Sequence, residues 1–184
     1  MFAFSEVSQI VLRSAGWEPQ RSVDPTLWLD FLQQEGYCVF EAAVTILEHL
    51  GGLDLKEYIP ALVPASLAAG TPVVLADNTQ ILFDDYPTFD FIPNSTPDSD
   101  YDMAAFWTTN SLLKKQGLEI FPIGSLNYMT TWFVLSDGRI FKSEFYAPEG
   151  YNYDHENEPA NLIYLGKTIA EAVNTLVQRC IVYL

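Results

Sequence analysis

Apolar residues recur at helical spacing through the N-terminal third of the chain and alternate with polar ones further on. Ser5 is placed to cap a first helix that turns Val7, Ile10, Val11 and Leu12 inward. Gly16 ends it as a left-handed cap, and the chain turns through Trp17 and Pro19. Asp24 caps a second helix with Pro25 at its first position. Leu27, Trp28, Phe31 and Leu32 give that helix its inward period, and Gly36 stops it. A third helix runs from about Cys38 to Leu50. It turns Val39, Ala42, Ala43, Ile46, Leu47 and Leu50 inward and ends on Gly51-Gly52.

The middle of the chain changes period. Leu53 to Ile59 reads as a strand alternating Leu53 and Leu55. Val73 to Ala76 and Gln80 to Phe83 flank Asp77-Asn78, the pattern of a hairpin. Phe89-Asp90-Phe91-Ile92 is a short strand, and Asn94 to Asp100 is a polar loop. Asp100 or Asp102 starts a helix that carries Phe106, Trp107 and Leu113 to Gln116, where Gly117 stops it.

Leu118 to Ile123, Thr130 to Leu135 and Arg139 to Tyr146 read as strands, the last two joined by the Asp137-Gly138 hairpin turn. Pro148 to Pro159 is a long loop of tyrosines and acids, and Leu162 to Leu165 is an edge strand. A last helix buries Ile169, Ala172, Val173, Leu176 and Val177, with Thr168 and Glu171 at capping-box spacing. Helices on both sides of a run of strands predict an α+β fold: N-terminal helices, a central antiparallel-rich sheet and a C-terminal helix packed on it. The 184 residues fit one domain, residues 1–184, with no repeat and no linker.

Composition narrows the function classes. The chain is 49% hydrophobic and 14% aromatic, enough to fold without disulfides. Cys38 and Cys180 read as free thiols of a reducing, cytoplasmic compartment. Apolar runs are broken by charge or proline, so no membrane span is expected, and the first residues lack the basic, then apolar, pattern of a leader.

The net charge of −15 disfavours nucleic acid and anionic membranes and favours a basic partner. Its placement is uneven. Between Lys56 and Lys114 lie seven aspartates, Asp77, Asp84, Asp85, Asp90, Asp98, Asp100 and Asp102, and no cation. Between Lys142 and Lys167 lie Glu144, Glu149, Asp154, Glu156 and Glu158, again with no cation. Both a cationic partner and a merely solvated acidic surface account for this.

Catalytic signatures are missing. His49 and His155 are far apart and lack metal-ligand spacing with cysteine. No glycine-rich phosphate loop and no nucleophile elbow occur. Asp98-Ser99-Asp100-Tyr101-Asp102 alternates like a calcium loop but has Met103 and Thr109 where that loop needs Gly and Glu. No metal and no cofactor is expected. Carboxylates remain, and two facing a groove would make a carbohydrate hydrolase. Acids and aromatics interleave at Asp84-Asp85-Tyr86 to Asp90 and at Tyr151, Tyr153, Asp154 and Glu156. Tyrosine offers rigid contact area and a carboxylate accepts an arginine fork, so these eight residues form the candidate recognition set.

Several short motifs occur in a fixed order: Ala15-Gly16-Trp17, Pro19-Gln20-Arg21, Glu35-Gly36, Gly51-Gly52-Leu53, Phe89 to Pro93, Phe121-Pro122-Ile123-Gly124, Asp137-Gly138-Arg139 and Leu165-Gly166. In this order the chain resembles the SUKH superfamily of bacterial immunity proteins, most closely its third subfamily. The resemblance implies a cytoplasmic protein that binds and blocks a toxin domain of a polymorphic toxin system, often a nuclease. It departs from the family near residues 56–86 and 146–163, which read as insertions. The alternatives are the carboxylate hydrolase and a regulatory scaffold of the same fold.

Overall fold

The computed structural model describes residues 2–55, 73–74, 80–83, 89–93, 111–126, 130–143, 162–179 and 181–183. Five helices and eight strands follow one another among them: α1 (Glu6–Ser14), α2 (Thr26–Gln34), α3 (Glu41–Leu50), β1 (Val73–Val74), β2 (Gln80–Phe83), β3 (Phe89–Asp90), α4 (Ser111–Gln116), β4 (Ile120–Leu126), β5 (Thr130–Leu135), β6 (Ile140–Ser143), β7 (Leu162–Gly166), α5 (Ile169–Arg179) and β8 (Ile181–Tyr183). The strands form two antiparallel sheets, one ordered β3-β4-β5-β6-β7 and the other β1-β2-β8. This is the expected α+β class.

Local signals act as elementary chemistry requires. The Ser5 hydroxyl accepts from the Ser8 amide at 3.2 Å, satisfying one of the donors that a helix start leaves open. Gly16 follows α1 at φ 90°, and Trp17 folds back into the core with its ring edge-on to Phe4 at 5.2 Å. Thr168 Oγ1 accepts from the Glu171 amide, and the Glu171 carboxylate returns to the amide of Lys167 at 2.8 Å. That is a capping box reaching one residue further back than the usual form.

The two central strands of the larger sheet hold the middle of the core. Ile120, Phe121 and Ile123 of β4 and Trp132, Phe133, Val134 and Leu135 of β5 are all buried, consecutive residues included. Burial of neighbours that point to opposite faces means both faces are covered there. α3 packs against β4 and β5, α5 against β7, and α1 against α5. Tyr37 and Phe40, just ahead of α3, set their rings at 6.0 and 6.1 Å from Phe121.

Several sequence expectations change, among them Ile10, expected inward but exposed, and Pro25, which stands at the N-cap of α2 and not at its first helical position. α3 begins at Glu41, not near Cys38, because Phe40 is extended (φ −142°, ψ 162°) and leaves Cys38 and Val39 outside the helix and exposed. A final strand, β8, pairs with β2 in the register Ile81↔Tyr183 and Phe83↔Ile181, where no strand was expected. A three-residue run directly behind a helix is too short to show a period of two. The largest change is in α2. Leu32 is fully buried, but Leu27 is 84% and Phe31 43% exposed, although both were expected inward.

The turn at Asp77-Asn78, the polar loop 94–100, the helix start with Phe106 and Trp107, and the loop 148–159 lie outside the described residues. Cys180 does as well, while Cys38 is a free, exposed thiol. Among the described residues no helix is long and apolar enough to cross a membrane.

Candidate partner-binding surface

The residues that join α1 to α2 lock the end of α3. Helix ends leave backbone carbonyls without partners. Here the Arg21 guanidinium donates to the Gly51 carbonyl at 2.7 Å, and the Val23 amide donates to the Glu48 carbonyl at 2.8 Å. The Gly52 amide donates to the Phe91 carbonyl, and the Phe91 amide to the Leu53 carbonyl, each at 2.9 Å. A Cβ on Gly51 would stand 2.4 Å from the Leu47 carbonyl oxygen and 2.6 Å from the Trp28 ring. Glycine is therefore what lets α2 lie against the end of α3. Arg21, Gly51-Gly52-Leu53 and Phe91 converge as framework, so these motif residues have a structural role.

Of the eight candidate recognition residues only Asp90 lies among the described ones, and it is not available to a partner. It is 1% exposed. One carboxylate oxygen accepts from the Ser125 amide at 2.9 Å and the Ile92 amide at 3.2 Å, and the other from the Ser125 hydroxyl at 2.8 Å. Asp90 thus fastens β3 to β4, which corrects its place in the recognition set, where the interleaving of acids and aromatics had put it. Phe91, the next residue, is buried as well. Asp84, Asp85, Tyr86, Tyr151, Tyr153, Asp154 and Glu156 lie outside the described residues.

Replacing Asp90 with alanine should lower stability by about 2 kcal/mol, since buried donors lose their acceptor. For a chain of this length that is a fall of about 4–8 °C in the melting midpoint. Asp90→Asn, which keeps an acceptor oxygen, should fall less. Equal melting of all three proteins by circular dichroism would contradict the clamp.

Elsewhere the described surface offers contact rather than chemistry. α2 carries Leu27 and Phe31 outward, one turn apart. Asp24, Asp30 and Glu35 are exposed at its entrance, on its flank and at its end. No lysine or arginine occurs between Arg21 and Lys56. Asp24 accepts from the Thr26 amide at 3.0 Å and its hydroxyl at 2.5 Å. These bonds hold its carboxyl below the usual carboxylate range. Exposed Cys38 is pushed the other way, by partial burial and then by the nearby Glu119 carboxylate, so its thiol resists ionising.

A notch of about 450 Å³ lies beside the Gly16-Trp17 turn, lined by Arg13, Glu18, Pro19 and Gln20 as well. It holds one charge of each sign and no nucleophile paired with a base. Among the described residues no three His, Cys, Asp or Glu side chains gather as metal ligands.

The sequence held one sign of the α2 face. Leu27, Trp28, Leu29, Phe31 and Leu32 span about 200° of the helix at 100° per residue, more than the roughly 100° stripe that one covered face requires. Some of them had to remain outside.

Compared with known proteins, residues 4–179 match the family model described as SUKH-3 immunity protein. No curated protein and no solved structure matches the chain.

Proposed function

This chain belongs to the SUKH-3 immunity protein family, and we propose that it neutralises one cognate toxin domain by stoichiometric contact, without turnover. The family match over residues 4–179 is the observation that carries this reading. The whole chain acts as one immunity domain in the cytoplasm, and its partner is basic, a nuclease being the class that fits best. A net charge of −15 supports that choice. An enzyme that works on nucleic acid needs a cationic surface, and an acidic inhibitor both finds that surface quickly and occupies the substrate's place.

Asp84, Asp85, Tyr86, Tyr151, Tyr153, Asp154 and Glu156 are the proposed acidic and aromatic contacts. Their charges act mainly at long range, so they govern encounter more than residence.

The test is co-expression with the C-terminal domain of the protein encoded directly upstream. Cells making that domain alone should stop growing, and cells also making this chain should grow. The two proteins should purify as a one-to-one complex. Changing Asp84, Asp85, Asp154 and Glu156 together to lysine should slow association about tenfold at low ionic strength, with little change in dissociation. Continued growth arrest with this chain present, or no complex, would refute the reading.

A further inference from the structure

We propose that the outer face of α2 is where the cationic toxin domain docks, with Leu27 and Phe31 as its apolar anchors and Asp24, Asp30 and Glu35 as an acidic rim. This rests on the immunity reading above and adds to it a place and a chemistry.

A single exposed leucine requires no explanation, because much of any protein surface is apolar. The α2 face differs in three ways. Leu27 (84% exposed) and Phe31 (43% exposed) are four residues apart and so adjoin on the helix surface. The exposed charges that α2 and its two ends carry have one sign, with no Lys or Arg between Arg21 and Lys56. The helix beneath them is fixed, by fully buried Leu32 and by Trp28 against Gly51 and Gly52. An apolar centre within a polar rim on a rigid support is the anatomy of an energetic interface centre. Rigidity also means that little ordering is needed on binding.

Charge decides what the occupant is. A second copy would bring Asp24, Asp30 and Glu35 against their own equivalents on a molecule of net charge −15, and like charges directly opposed disfavour contact. A cationic protein places Lys and Arg opposite the same rim. The Thr26 bonds keep Asp24 ionised in mildly acidic solution as well.

The measurement is surface plasmon resonance with the purified C-terminal domain of the upstream-encoded protein as probe. Wild type is compared with Leu27→Asp/Phe31→Asp and with the milder Leu27→Ser/Phe31→Ser. Both positions are exposed, so the far-ultraviolet spectrum and melting midpoint should stay close to wild type. Affinity should fall about 100-fold for the Asp pair and at least tenfold for the Ser pair, mostly through faster dissociation. Reversing Asp24, Asp30 and Glu35 to lysine should slow association, and the difference should close at high salt. Wild type binding with both apolar variants unchanged would overturn this face and leave the immunity reading intact. Failure of wild type to bind the probe would overturn both. A wild-type dimer by light scattering that the Asp pair converts to monomer would overturn the assigned occupant.

Discussion

Gly124→Ala is expected to cost about 4 kcal/mol or more and to detach β3 from β4. Residue 124 follows a bulge in β4: Pro122 pairs with Phe133 and Gly124 with Trp132, leaving Ile123 as the extra residue. At that point β4 passes unusually close to β3. A Cβ on Gly124 would stand 2.0 Å from the Asp90 carbonyl oxygen, 2.9 Å from the Asp90 carbonyl carbon and 3.0 Å from the Phe91 Cα. All three are backbone atoms, so no side chain can rotate away.

The strands must separate, and separation breaks the bonds from the Ser125 amide and hydroxyl to the Asp90 carboxylate. Overpacking costs about 1–3 kcal/mol, and each buried group left without a partner costs about 1–3 kcal/mol more. The measurement is urea denaturation together with amide exchange. The denaturation midpoint should fall, and protection should drop first at Gly52 and Phe91, whose amides bond the Phe91 and Leu53 carbonyls. A variant as stable as wild type would mean that this approach is not tight in solution.

Trp132→Ala is expected to cost about 3–5 kcal/mol. Trp132 is 0% exposed and sits on the central strand β5. Its partner across the β4 ladder is Gly124, so the rung opposite the indole carries no side chain. Phe91 meets the indole edge-on, with centroids 5.5 Å apart and planes at 70°. Removing the ring opens a void between backbones that are held by hydrogen bonds and cannot collapse into it.

The melting midpoint should drop by about 10 °C. Trp132→Phe should recover about half of the loss. Small domains have only about 5–15 kcal/mol of total stability, so the alanine variant should be poorly soluble when expressed. A melting curve that overlays wild type would contradict the packing described here. Gly124 and Trp132 share a rung, so their effects should not add.

The ordered motifs are where the backbone is constrained: Arg21 at the end of α3, Gly51 beneath Trp28, and Gly124 against β3. Each of these holds framework elements together. A framework can therefore be recognised from sequence while the surface that selects a particular toxin is not.

The α+β class, most helix limits and the strands of the larger sheet were legible in the order of residues. Those features depend on neighbours a few residues apart: Ser5 on Ser8, Thr168 on Glu171, and the turn at Asp137-Gly138. The residues also carried the family, because the motifs keep their order along the chain.

Three features came from long-range packing. It buried Asp90, because Ser125 lies 35 residues away and only sheet pairing brings it close. It added β8 through β2, about a hundred residues upstream. It also chose which side of an over-apolar α2 faces inward, since the end of α3 accepts Trp28 and leaves Leu27 and Phe31 in solvent. Helical period fixes which residues share a face, but only packing against distant elements determines which face is covered.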